Sequence, residues 1–293
     1  MMDVSPFRCP ACHAGPLQAQ DSLTCSACSH NYRIAGDVPF LVRDLTDHED
    51  AMAQARQVNP EWYRSEQPPE AVSPWRHHLK KRRLYVSACF RRELQRRGLE
   101  RAARLLDLGC GDGTNLVWLR DFTESLYGSD YNAIRLARAR AYMPDTTLFL
   151  GDILDYPVVD GFFDVVYFNH VIEHIPNDKA ALATAYRILA PGGLLVLGTP
   201  NEGAWWWQLA YERAPEIRRT TDHVHFYTAA SIRAKMQDAG FNVFEVKHMG
   251  WGPPDWHLDG KWRQHKWVDD VFEVFGRMLI PSQASSLYLL ATK

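Results

Sequence analysis

Leu105-Leu106-Asp107-Leu108-Gly109-Cys110-Gly111-Asp112-Gly113-Thr114-Asn115 sets three glycines at alternate positions behind an acid. Glycine lets the backbone bend sharply and lets a ligand lie against it, and the free N–H groups of a helix start face the same spot. The chemistry on offer is cofactor binding; a plain strand-to-helix turn is the alternative. Asp130 follows about twenty residues later, a spacing suited to accepting hydrogen bonds from two vicinal ribose hydroxyls, with a helix-capping aspartate as the other reading. A third acid, Asp152, precedes Ile153 and on sequence alone reads as a turn aspartate. At the N-terminus, Cys9-Pro10-Ala11-Cys12 and Cys25-Ser26-Ala27-Cys28 bring four thiolates in two knuckles, the spacing of a tetrahedral Zn²⁺ site; a redox dithiol or a pair of plain disulfides is the competing reading. Proton transfer falls to His170 and His223, since an imidazole titrates near working pH; each is otherwise a satisfied structural histidine.

These residues need elements to hold them. Apolar runs at 105–108, 126–130, 147–153, 163–170 and 194–201, separated by helical patterns over 131–141 and 178–189, predict parallel strands with crossover helices. A helix over 228–239 and strands over 241–249 and 286–292 complete an α/β fold with a doubly wound, seven-stranded, mostly parallel sheet. Ligands bind outside the carboxyl ends of such strands, so Asn169 and His170, at the end of the fourth, are expected beside a cofactor on the first turn. Residues 31–42 read as a strand and turn that close a small metal ribbon, which has too little core to fold without its ion.

The chain has 293 residues, 46% of them hydrophobic, enough for one large domain and a smaller one. The expected division is a ribbon over 1–45, a linker and basic helix over 46–100, and a cofactor domain over 101–293 with insertions at 201–227 and 250–281. Trp62 and Trp75 are expected to pack the linker onto the next domain. The net charge of −2 argues against a chain that is basic overall, although Lys and Arg crowd the helix predicted over 76–97. That helix sets Leu79, Val86, Phe90 and Leu94 against Lys80, Lys81, Arg91, Arg92 and Arg96: a surface for RNA or anionic lipid, or a solvated face. No apolar run approaches the roughly 18 residues of a membrane span, and a cytoplasmic or membrane-peripheral location is expected.

The acid two residues before Gly-x-Gly-x-Gly resembles motif I of the class I S-adenosylmethionine-dependent methyltransferases. Thr114 stands where a dinucleotide fingerprint has its third glycine, and no Gly-Lys-Ser or Gly-Lys-Thr follows. The resemblance implies S-adenosylmethionine as methyl donor, held by Asp107, Gly109, Gly111, Asp130, Tyr131, Asp152, Ile153 and Asn169. Residues 9–42 resemble the zinc-ribbon module carried by some methyltransferases, ribosomal-RNA guanine methyltransferases among them. Val171-Ile172-Glu173-His174-Ile175-Pro176-Asn177 is similar to the post-strand loop of ubiquinone-biosynthesis O-methyltransferases, some of which hold a divalent ion with acids there. His170 occupies the earlier acid position, so that ligand set is incomplete and Glu173 and His174 are read as braces for the loop.

Seven of the ten tryptophans fall in the two insertions, where the family commonly builds its acceptor pocket. The expected function is therefore methylation of a small molecule, at an oxygen of a sugar, lipid-linked saccharide or aromatic ring, with His170 or His223 as base. Alternatives are an rRNA or tRNA methyltransferase that binds RNA through the ribbon and basic helix, and a scaffold that keeps the fold without catalysis.

Overall fold

The computed structural model describes residues 4–19, 22–58, 60, 66–216, 218, 221–253 and 256–293; Trp62 lies outside them, as does the side chain of Trp256. Two compact units emerge, one of residues 1–67, 101–167 and 183–193, the other of 68–100, 168–182 and 194–293.

The first unit begins with three short antiparallel strands, β1 (Gln18–Ala19), β2 (Leu23–Thr24) and β3 (Asn31–Tyr32). Their whole core is little more than Leu17, Leu23 and Tyr32, which fits a module that depends on a metal. A tight turn at Gly36 and Asp37, both at positive φ, then joins β4 (Ile34–Ala35) to β5 (Val38–Leu41). Here the structure corrects the expectation that 31–42 closes the ribbon. Only β3 does so, and β5 instead runs parallel to β8 (Thr147–Gly151), with Phe40 opposite Leu150. The reason is apolar burial. Val38, Phe40 and Val42 share a core with Leu116, Leu136, Leu148 and Leu150, company a three-stranded ribbon cannot supply.

With β6 (Ala102–Leu108), β7 (Thr123–Asp130) and β9 (Phe163–Asn169, its last two residues in the second unit), this unit has the strand order β9-β6-β7-β8-β5-β4, parallel except for β4 on β5. Strands buried on both faces read as continuous apolar runs, as β6 and β9 do. Asn132 caps the helix Ala133–Tyr142, its Oδ1 accepting from Ile134 and Arg135, and so fixes the chain just past Asp130. The ribbon is tied to the loop after β8: Phe7 bridges Val158, Arg8 N–H donates to Pro157, and the Phe7 ring meets Phe149 edge-on at 5.0 Å.

The second unit has the order β11-β12-β10, from β10 (Leu189–Pro200, its first five residues in the first unit), β11 (Asn242–Met249) and β12 (Ser286–Thr292), with β12 antiparallel to both neighbours. The seven strands expected from the sequence are β6–β12, a mixed and mostly parallel set, to which β4 and β5 are additions. The helix expected over 76–97 spans Arg76–Arg96 and buries Val86, Phe90 and Leu94. Most of its cations are committed to acids or a phenol: Lys81 to Asp269 and Asp270, Arg82 to Tyr288, Arg83 to Glu70, Arg92 to Glu93 and Glu245, and Arg96 to Glu93. Among the described residues, no helix is long and apolar enough to cross a membrane.

Candidate functional site

The turn after β6 has the conformation that its glycines permit: Gly109, Gly111 and Gly113 all take positive φ. At Gly111 a Cβ would stand 3.2 Å from Gln67 Oε1 and 3.3 Å from an Arg135 nitrogen, so a side chain there would intrude on the turn's lining. Asp130, at the end of β7, accepts from Gly111 N–H at 2.9 Å and from Asn132 N–H at 2.8 Å. Burial raises its pKa against the pull of those two N–H groups. Asp107 is 1% exposed and its Oδ2 is buried with no hydrogen-bond partner among the described residues. Burial, reinforced by the negative charge of Asp130, pushes Asp107 well above the usual carboxylate range. A buried orphan oxygen beside a glycine turn is what a donor-bearing ligand would satisfy. Asp152 Oδ1 accepts from Leu154 N–H at 2.8 Å and caps the short turn that holds Ile153; Tyr131 meets the buried His48 ring edge-on at 4.4 Å. His48 has no sequence signal, because nothing in its helix marks it.

The two cysteine knuckles repeat one geometry. Cys9 N–H donates to Ala14 and His13 N–H back to Cys9; Cys25 N–H donates to His30 and Ser29 N–H to Cys25. His13 and Ser29 each sit at φ 61. All four sulfurs lie within 4.8 Å of one another, with Cys9–Cys28 and Cys12–Cys25 at 3.6 Å. A tetrahedron with Zn–S bonds of about 2.3 Å has edges of about 3.8 Å, so the four fit the ion. The Ala14 N–H favours the Cys12 thiolate, but the neighbouring thiols and burial push that group up to about 12. Burial opposes ionisation of Cys25, yet the N–H groups of Cys28 and Ala27 bring it down to about 7. Tyr32 Oη accepts from Ala11 N–H at 3.2 Å and lies 3.0 Å from Cys9 Sγ, a hydrogen bond that steadies that ligand.

In the second unit the end of β9 leads into His170, a non-glycine residue at φ 54 whose N–H donates to Gly198. Its Nδ1 lies 3.2 Å from Glu173 Oε1, while its Nε2 is buried without a partner among the described residues. Burial first, then the Arg82 charge, lowers the His170 pKa despite Glu173, and His170 in turn holds Glu173 ionised against burial. Glu173 also accepts from Thr199 Oγ1 at 3.3 Å, and its carbonyl accepts from Val224 and His225. Glu173 thus ties its loop to Thr199 and to the segment at Val224, and lies beside the imidazole three residues before it.

His223 Nδ1 lies 3.7 Å from Glu202 Oε1, and its ring is 4.9 Å from that of His174, which faces Asp222 at 3.3 Å. Burial would lower His223, but Glu202 raises it above the ordinary value. Glu202 is 3% exposed and also accepts from Tyr211. It was not among the expected residues; its place one residue after Asn201 at the strand end was the available signal. Asn169 Oδ1 accepts from Tyr288 at 2.9 Å. Ligating atoms of Glu173, His174 and His223 fall within 4.8 Å of one another. Of the tryptophans expected to line a pocket, Trp251 is buried, its Nε1 donating to the Ile280 carbonyl, and Trp267 is 70% exposed.

A family model described as a methyltransferase domain matches residues 76–246. The chain belongs to that family. It is 27% identical over 164 residues to the ubiquinone biosynthesis O-methyltransferase of Thiobacillus denitrificans, covering 51% of this chain and 69% of that one. It is 34% identical over 110 residues to the trans-aconitate 2-methyltransferase of Variovorax paradoxus, covering 37% and 42%. The chain spans between 30% and 52% of the length of three of the curated relatives it matches. Among solved structures it shares its fold with the N-methyltransferase NodS from Bradyrhizobium japonicum in complex with S-adenosyl-L-homocysteine, at a TM-score of 0.54 and 15% identity over 81% of this chain and 97% of that one. The family is one of S-adenosylmethionine-dependent methyltransferases, the donor that the motif I turn implied.

Proposed function

We propose that this chain transfers the methyl group of S-adenosylmethionine to a hydroxyl of a small-molecule acceptor, with His170 as the general base. The observation that carries the reading is the His170 ring, with one nitrogen 3.2 Å from the buried Glu173 carboxylate and the other buried and unpartnered. A carboxylate on one side of an imidazole orients it and stabilises the imidazolium formed when the other side takes a proton. In this reading the acceptor hydroxyl gives its proton to His170 Nε2, and Glu173 holds the resulting charge. A base must be deprotonated at working pH, which the lowered pKa of His170 favours; His223, raised by Glu202, serves as a cationic or hydrogen-bonding partner.

The donor half rests on the first unit. Asp130 would hold the ribose hydroxyls, the orphan Asp107 oxygen would meet a donor, and Asp152, Tyr131 and Ile153 would surround the adenine, with Gly109 and Gly111 leaving room. When bound, S-adenosylmethionine supplies a methyl carbon made electrophilic by its sulfonium. The four cysteines would hold a structural Zn²⁺. The acceptor classes that suit this chemistry are phenols and sugar hydroxyls. Incubation with methyl-labelled S-adenosylmethionine and cell extract, followed by separation of RNA, lipid and polar fractions, tests the reading. Label in a small-molecule fraction that His170→Gln removes supports it, and label confined to RNA overturns it.

A further inference from the structure

The helix Lys266–Leu279 is turned the wrong way round for a helix of a soluble protein. Trp267, Val271, Val274, Phe275 and Met278 recur at helical spacing and make one apolar face; Asp269, Asp270, Glu273 and Gly276 make the other. Ordinarily the apolar face turns inward. Here Asp269 is 1% exposed, its carboxylate held by Lys81 Nζ at 2.6 Å and Arg263 Nε at 2.7 Å, and Lys81 reaches Asp270 at 2.8 Å. Gly276 lies flush on Trp251, where a Cβ would come within 2.0 Å of Trp251 Cγ, and Trp251 Nε1 pins the following turn through Ile280. These contacts fix the polar face inward. Met278, Leu279, Trp267 and Phe275 are left 75%, 71%, 70% and 58% exposed.

We infer that this outward face lies on the surface of an anionic lipid bilayer. Exposed Lys261, five residues before the helix, and exposed Arg277 in its last turn are suited to anionic headgroups, and Trp267 stands in the first turn with Trp262 just before it, as tryptophans do at a membrane interface. The neighbouring acid Asp270 is taken up by Lys81 and Lys266, so it does not oppose that attraction. At 14 residues the helix is about 21 Å long, too short to span a bilayer of about 30 Å but long enough to lie in its plane.

Co-sedimentation of the full chain with phosphatidylcholine vesicles, with and without phosphatidylglycerol, tests this. Binding is expected to the anionic vesicles, and Phe275→Asp with Met278→Asp should weaken it by about tenfold or more. Both side chains point away from the ion pairs that seat the helix, so the double variant should keep the wild-type melting temperature. Brominated lipid should quench part of the tryptophan fluorescence, and Trp267→Phe should reduce that part. Wild-type protein that stays in the supernatant, or a double variant that sediments like wild type, overturns the proposal. A dimer in vesicle-free solution that the double variant abolishes, without vesicle binding, assigns the face to a second copy and overturns it equally.

Discussion

Asp130 Oδ2 accepts the backbone N–H of Gly111 at 2.9 Å, so the acid ending β7 is fastened to the glycine turn ending β6. One carboxylate oxygen thereby shapes the turn while the other, on Asn132 N–H, shapes the next helix start. Asp130→Ala should then lose more than a ribose contact. Its affinity for S-adenosylmethionine is expected to fall by about a hundredfold, or roughly 2–3 kcal/mol for a charged hydrogen-bonding partner. Calorimetric titration that returns the wild-type constant would remove Asp130 from the cofactor site.

Asp107 presents the opposite trade. Its pKa is raised in the folded chain, so the folded state holds a proton that the unfolded state releases above 3.8, and stability falls as pH rises through the window from there to the raised value. Asp107→Asn removes that cost. The ligand-free variant should melt no lower than wild type at neutral pH, while losing about tenfold in cofactor affinity through its missing acceptor charge. A variant that melts much lower would mean that the carboxylate has a structural partner instead.

The choice between two histidines is readable from a pH profile. If His170 is the base, its lowered pKa puts the acid limb of kcat below 6.5, and the rate is flat through neutrality. If His223 is the base, the raised pKa puts that limb above 6.5. We expect the first, with His170→Gln slowing turnover by about a hundredfold or more and His223→Gln by far less. Glu173→Gln should move the acid limb lower still, because it removes the charge that favours the imidazolium.

Zinc removal should be felt as loss of fold in the N-terminal ribbon. Chelation is expected to lower the melting temperature, and Cys9→Ser to leave substoichiometric metal by elemental analysis. Tyr32→Phe should keep one zinc per chain but bind it about tenfold more weakly, since the hydrogen bonds of its hydroxyl to Cys9 Sγ and from Ala11 N–H are lost while the ring stays. Full zinc in Cys9→Ser would leave the four cysteines without a metal role.

Local pattern made β6 to β12, the glycine turn, Asp130 and the cysteine knuckles legible in the sequence, since each is set by periodicity or by spacing within a few residues. Contacts made at long range were not. Phe40 joins Leu150 across more than a hundred residues of chain, and nothing near residue 40 announces that partner. Glu202 and His223 pair across twenty-odd residues of chain, and the position of Glu202 just past the strand end was the sole mark it carried. His170 and Glu173, three residues apart, were legible as candidates, but their ordering over His223 depends on burial and on Arg82. The helix 266–279 lies in a stretch read from the sequence only as an insertion, and the ion pairs of Asp269, made with Lys81 and Arg263, are what show which of its faces turns inward.

The parallel pairing of β5 with β8 means that the matched region of residues 76–246 and the piece of chain that can stand alone are different things. A protein trimmed to the match would lack Val38–Leu41 and expose the backbone around Leu150 and Gly151 as a raw margin, open to pairing with the same margin of another molecule. It would also lack β12, the central strand of β11-β12-β10. Such a fragment should precipitate on expression, whereas one keeping residue 34 onward and the C-terminal strand retains both protections. The segment before the family region is thus a selvedge, woven in to keep the cloth from unravelling.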